Sequence, residues 1–167
     1  MNRIMSLVIL GMVLVGCKSA QYTTFSGTWQ LDLKESTNLP ESFKHVDSYT
    51  MDVDQTNDSM FTTVRLAGDG QDVKFPPTYY ALNGTETFRE DTLRMSKRWN
   101  KLSWTEDGKQ CVVESRVEQG REAQSQTYVQ RDVWEIVNND TLHVLVTQTY
   151  LLGKEPHSER RVFHRVK

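Results

Sequence analysis

The chain is predicted to be all-β, an antiparallel up-and-down array of about eight to ten strands behind a short N-terminal export signal. Three observations predict it. Apolar and polar residues alternate with period two over most of the chain, as in Ser26-Gly27-Thr28-Trp29-Gln30-Leu31-Asp32-Leu33, where Trp29, Leu31 and Leu33 share one face. Turn chemistry interrupts the alternation at short, regular intervals, most clearly at Asn83-Gly84 and Asn138-Asn139-Asp140. Beyond the first sixteen residues no stretch carries helical periodicity, and there is no internal repeat, low-complexity segment or interdomain linker.

The N-terminus reads as an address. Met1-Asn2-Arg3 is a short basic region, Ile4 to Val15 is apolar, and Gly16-Cys17 ends the run. The run is shorter than the ~20 apolar residues of a spanning helix. Leu14-Val15-Gly16-Cys17 resembles a bacterial lipobox. That resemblance makes residues 1–16 a signal peptide, Cys17 the lipidated first residue of the mature chain, and residues 17–24 a polar tether before a domain at 25–167. Several acyl chains on one Cys anchor a protein stably where one chain does not. Lys18 in place of an acidic residue implies the outer membrane of the cell envelope. An ordinary signal peptide with an unrelated Cys, or an uncleaved anchor, is the alternative.

Composition narrows the remainder. Of 167 residues, 151 follow the signal, one domain's worth with a substantial core. The whole chain carries a net charge of −2, and losing Arg3 makes it −3, which gives no ground for a nucleic-acid partner. With Cys17 acylated, Cys111 has no disulfide partner; it stands in an apolar alternating run and reads as a small buried hydrophobe.

The strands follow in order. Lys34 to Lys44 is a loop with room for one helical turn, and Val46 to Asp54 and Met60 to Leu66 alternate on either side of the turn 55–59. Val73 to Phe75 is stopped by Pro76-Pro77. Thr78 to Leu82 and Thr85 to Arg89 flank Asn83-Gly84 and read as a hairpin. Thr92 to Trp99 and Leu102 to Thr105 are read as two strands parted at Asn100-Lys101. Lys109 to Glu118, the long run Ala123 to Val137, Thr141 to Leu152 and Glu159 to Val166 complete the set. Closing such a sheet on itself would protect the sticky run 141–152 from exposure at an edge.

Four segments, in order, resemble the small bacterial lipocalin-like domains of exported proteins. Gly27-Thr28-Trp29-Gln30-Leu31 is similar to the lipocalin glycine-any-tryptophan signature. Tyr80-Ala81-Leu82-Asn83-Gly84, Asp140-Thr141-Leu142-His143-Val144 and Val162-Phe163-His164-Arg165 match the later motifs. The resemblance implies a lipocalin-like β-barrel, up-and-down, with one end closed by Trp29 beside Gly27 and with Arg165 packed over the indole. A guanidinium over an indole face gains about 1–2 kcal/mol when partly desolvated. The run from Lys109 to Val137 is longer than such domains usually have.

On the Trp29 face the reading collects Tyr49, Met51, Val53, Met60, Val64, Leu66, Leu93, Met95, Trp99, Leu102 and Trp104. A barrel of this size is either packed by such side chains or just wide enough for one small ligand, and both readings stand. Alternation sets Lys97 on the Met95/Trp99 face, so Met95, Lys97, Trp99 and Trp104 are the candidate ligand site, with Lys97 to meet a carboxylate. The solvated-rim reading of Lys97 competes with it. The four His (His45, His143, His157, His164) have no metal-ligand spacing, and no phosphate loop, nucleophile elbow or paired-carboxylate motif stands out. Asp132 and Glu135 share a strand without forming a motif. No metal, cofactor or catalytic residue is therefore assigned. The expectation is a lipid-anchored envelope module, joined to the membrane through Cys17 and holding a small hydrophobic or amphiphilic ligand. The alternative is a packed-barrel lipoprotein acting through an unidentified protein partner, and a third reading is an enzyme built on the barrel.

Overall fold

A computed structural model describes residues 22–92, 95–120, 125–151 and 154–167. The signal, Cys17, Leu93 and Arg94 lie outside the described residues. Among the described residues eleven strands follow one another: β1 (Gly27–Thr37), β2 (Ser48–Gln55), β3 (Ser59–Gly68), β4 (Gln71–Lys74), β5 (Thr78–Ala81), β6 (Thr87–Asp91), β7 (Ser96–Trp104), β8 (Gln110–Gln119), β9 (Gln126–Asn138), β10 (Thr141–Tyr150) and β11 (His157–Arg165). One 3₁₀ turn, Glu41–His45, sits between β1 and β2. No helix among the described residues is long and apolar enough to cross a membrane.

All strands join one antiparallel sheet in the order β4-β3-β2-β1-β11-β10-β9-β8-β7-β6, with β5 also paired to β3. The first and last strands are neighbours, with Trp29 opposite Arg165 and Leu31 opposite Phe163. Two glycines permit close approaches. A Cβ on Gly27 (φ 138°) would lie 2.3 Å from Arg165 Nη1, and one on Gly68 would lie 1.9 Å from the His45 carbonyl oxygen.

The sheet rolls up but does not close into a hydrogen-bonded barrel, which corrects the expectation of a closed one. β5 packs beside β6 and β7 without a ladder to either. The sequence explains the gap: Pro76-Pro77 enter β5 without N–H donors, and β5 is only four residues long. Side chains bridge the seam instead. Thr87 Oγ1 donates to the Tyr79 carbonyl (3.0 Å), and Arg89 Nη1 donates to Thr78 Oγ1 (2.6 Å). The Asn83-Gly84 turn forms, with Gly84 at φ 80° and the Thr85 N–H donating to Asn83 Oδ1 (3.0 Å). The strands it joins do not pair with each other; β5 pairs with β3 and β6 with β7.

A second difference decides which side chains face inward. Asn100-Lys101 is no break; β7 runs unbroken from Ser96 to Trp104. Asn100 points into the core, 1 % exposed, and its Oδ1 accepts from Ser115 Oγ at 2.8 Å. A polar residue mid-strand mimics a turn signal, yet here a buried hydroxyl across the ladder satisfies its Oδ1 and leaves its Nδ2 without a partner.

The core fills one end of the rolled sheet. Trp29 and Phe25 are fully buried among Met51, Val53, Met60, Leu102, Cys111, Leu142 and Phe163. Trp29 Nε1 donates to the Phe25 carbonyl (2.8 Å), while the Phe25 ring stacks on Trp104 (5.9 Å) and meets Trp134 edge-on (5.8 Å). Tyr22 stacks on Trp104 at 4.6 Å. Each fully buried large apolar side chain contributes roughly 1.5–3 kcal/mol, so this aromatic plug is the most stabilised part of the fold.

Candidate functional site

Above the plug the interior opens into a cavity of about 410 Å³. Strand alternation supplies two kinds of wall. Met51, Val64, Leu66, Phe75, Trp134 and Phe163 are apolar; Arg89, Asp91, Arg98, Gln130, Asp132 and Arg161 are polar and come from β6, β7, β9 and β11. The volume lies in the range of small-molecule sites, where apolar lining with a few convergent polar groups is the norm.

The polar groups form a partly satisfied network. Arg161 forms an ion pair with the buried Glu159 and stands over the Phe43 ring at 5.3 Å. Arg89 lies 3.5 Å from Asp91. Gln130 Nε2 donates to both Asp132 oxygens (2.9 Å each), Gln148 Nε2 donates to Gln130 Oε1 (3.2 Å), and the Tyr150 hydroxyl donates to Gln148 Oε1 (3.2 Å). Burial raises the Tyr128 hydroxyl, and the nearby Arg98 guanidinium opposes that rise. These two ion pairs leave Arg98, among the described residues, with no carboxylate at ion-pair distance.

Burial sets the protonation of the site. It raises the Asp132 carboxyl above the usual carboxylate range, against the opposing pull of the Arg161 guanidinium. Burial pushes the Tyr80 hydroxyl up to about 12. Burial also works against the Arg161 charge, but Tyr49, Glu159 and Asp132 together outweigh it and hold the guanidinium protonated. Four buried polar atoms of this region have no hydrogen-bond partner: Trp134 Nε1, Arg161 Nε, Glu159 Oε2 and His157 Nε2. Such atoms are costly unless something supplies the missing partner.

The residues singled out in the sequence lie elsewhere. Lys97 is exposed, and Trp99 lies on the outer face, tilted against Phe88 (5.2 Å) with Arg116 4.1 Å from its ring. Met95 is exposed in the turn before β7, at φ 49°. Trp104 does point inward, but into the aromatic plug below the cavity. The expected ligand site at Met95, Lys97, Trp99 and Trp104 is therefore corrected. A break at Asn100-Lys101 would have let Trp99 and Trp104 share a face; an unbroken strand puts them on opposite faces and turns Arg98 inward. The parity of Arg98 with the buried Asn100 and Leu102 is the signal that identifies it. Asp132 faces the cavity, whereas Glu135 is exposed and accepts from Gln110 on the outer face.

At the other end, Arg165 Cζ stands 4.2 Å from the Trp29 ring centroid. Outside the cavity, one ligand atom each of Asp32, Glu35 and His164 lies within 4.8 Å of the others. Asp32 Oδ1 is already engaged by the N–H groups of Lys34 and Glu35, which lower its carboxyl. The chain matches no family model, and no curated protein matches it significantly.

Proposed function

We propose that this protein is a lipid-anchored cell-envelope binding module that holds a small amphiphilic molecule inside its rolled sheet. A lipocalin-like architecture with one seam left open is the reading that fits, with Trp29 and Arg165 sealing the base and Cys17 tethering the domain to the membrane. The observation that carries the reading is the cavity of about 410 Å³, apolar on one wall and polar on the other, with one unpartnered buried donor on each, Trp134 Nε1 and Arg161 Nε. A domain with no ligand to hold would gain stability by filling that space, since each missing contact costs packing energy.

Native mass spectrometry tests the ligand. Cys17→Ser protein purified without detergent is expected to carry a small-molecule adduct that unfolding releases. Protein with the bare polypeptide mass, and no uptake of a neutral fluorescent amphiphile such as N-phenylnaphthylamine, overturns the reading. Fractionation tests the anchor: wild-type protein sediments with membranes, and Cys17→Ser does not.

A second reading, a module that binds a protein partner, rests on the outer face. There Phe61 and Tyr79 on β3 and β5, and Phe88 on β6, are exposed, with Trp99 beside Phe88. Exposed apolar patches of this kind mark contact surfaces. Loss of function in Phe88→Ser with function intact in cavity variants would favour it.

A further inference from the structure

Counting donors against acceptors around the cavity points to the chemistry of its occupant. Asp91 is engaged by Arg89, Asp132 by Gln130 on both oxygens, and Glu159 Oε1 by Arg161, which leaves Glu159 Oε2 as the one buried carboxylate oxygen of this region without a hydrogen-bond partner among the described residues. The donors are in surplus. Arg98 lines the cavity with five N–H groups and no ion-pair partner among the described residues. Trp134, 5 % exposed and lining the cavity, has an Nε1–H with no acceptor, and the Arg161 Nε–H lacks one too. Arg98 is half-buried in the cavity wall, where a guanidinium without a carboxylate at ion-pair distance offers its fork of donors to an anion.

We infer that the ligand is an organic carboxylate, its head held by the Arg98 guanidinium and its apolar body laid along Met51, Val64, Leu66 and Phe75. This rests on the cavity being a ligand site and adds the head-group to that reading. A carboxylate suits the position because the planar guanidinium offers two parallel donors that match its two oxygens. Asp132 shares the site as a competitor for the same charge, and the paired Gln130 amide holds it aside. A cationic head would meet Arg89, Arg98 and Arg161 on the same wall, and a neutral alcohol would leave Arg98 uncompensated.

Isothermal titration of the Cys17→Ser protein with dodecanoate, dodecanol and dodecyltrimethylammonium, which share one tail, tests the assignment. Dodecanoate is expected to bind about tenfold or more tightly than dodecanol. Arg98→Gln is expected to erase that difference while leaving dodecanol affinity unchanged. Arg98→Lys, which keeps the charge without the fork, should retain part of it and covers the case in which the Gln variant melts early. Equal binding of the acid and the alcohol, tighter binding of the cation, or a preference that survives Arg98→Gln in a folded variant overturns the head-group assignment and leaves the cavity reading intact. Binding of none of the three overturns both.

Discussion

Arg165 on the last strand covers Trp29 on the first, its Cζ 4.2 Å from the indole centroid, while Nη1 donates to the Ser26 carbonyl (2.7 Å) and Nε to the Asn139 carbonyl (3.1 Å). One side chain thus binds the start of β1, the β9–β10 turn and the buried ring. Arg165→Ala is expected to lower unfolding free energy by about 2–3 kcal/mol, from the ring contact and two charge-assisted hydrogen bonds taken at the low end for a partly exposed group. Trp29→Ala should cost more, about 3–5 kcal/mol, because it also empties the plug. Urea unfolding followed by Trp fluorescence measures the first and circular dichroism the second. An Arg165→Ala midpoint equal to wild type would show that the contact holds nothing.

Cys111 is wholly buried, opposite Trp104 on β7 and Trp134 on β9, and burial pushes its thiol up to about 12. The reactive species is the thiolate, so a native Cys111 near neutral pH is inert. In Cys17→Ser protein, where it is the single thiol, a chromogenic disulfide reagent should release no signal until denaturant is added, then one equivalent. Prompt labelling of the folded protein would place the thiol at a surface.

The period-two pattern made most of the strands legible, and the Gly27/Trp29/Arg165 relationship could be anticipated from motif order. The site was less so, for a physical reason. Strand faces are read by parity, and one misplaced break inverts every residue beyond it. Asn100 looked like a turn because its partner, Ser115, lies 15 residues on and is invisible to local reading. Likewise Arg98, Asp132 and Arg161 belong to three strands, and only the rolled sheet brings them to one cavity. The open seam had a visible signal in Pro76-Pro77, but Asn83-Gly84 promised a hairpin and β3 took the strand first.

Along that seam, side-chain bonds to the Tyr79 carbonyl and the Thr78 hydroxyl stand where other strands have backbone ladders. Local opening follows the weakest backbone pairing. Hydrogen exchange should therefore be faster in β5 and β6 than in β9 and β10, which are paired over the full length of β10. Arg89→Ala, which removes the link to Thr78, should widen the difference and leave β9 and β10 unchanged. Uniform protection around the sheet would mean that the seam is closed in solution.

Asp132 gives the pH dependence its sign. Burial raises its carboxyl in the folded protein above the value of the unfolded chain. A raised acid is stabilising in its protonated form: the folded state binds the proton more tightly, so the contribution is present below the ordinary carboxylate range and is lost as pH rises through the raised value. Above that value the folded protein holds a carboxylate it would rather keep neutral, in a wall where Arg98 and Arg161 offset only part of the desolvation cost. Asp132→Asn removes the charge and keeps an acceptor for Gln130. The variant is expected to melt above wild type at neutral pH, and the two melting temperatures should converge as pH falls into the ordinary carboxylate range. A variant less stable than wild type at neutral pH, with the gap closing on acidification, would mean that the ionised carboxylate is a net support of the fold and that Arg98 is already compensated without a ligand.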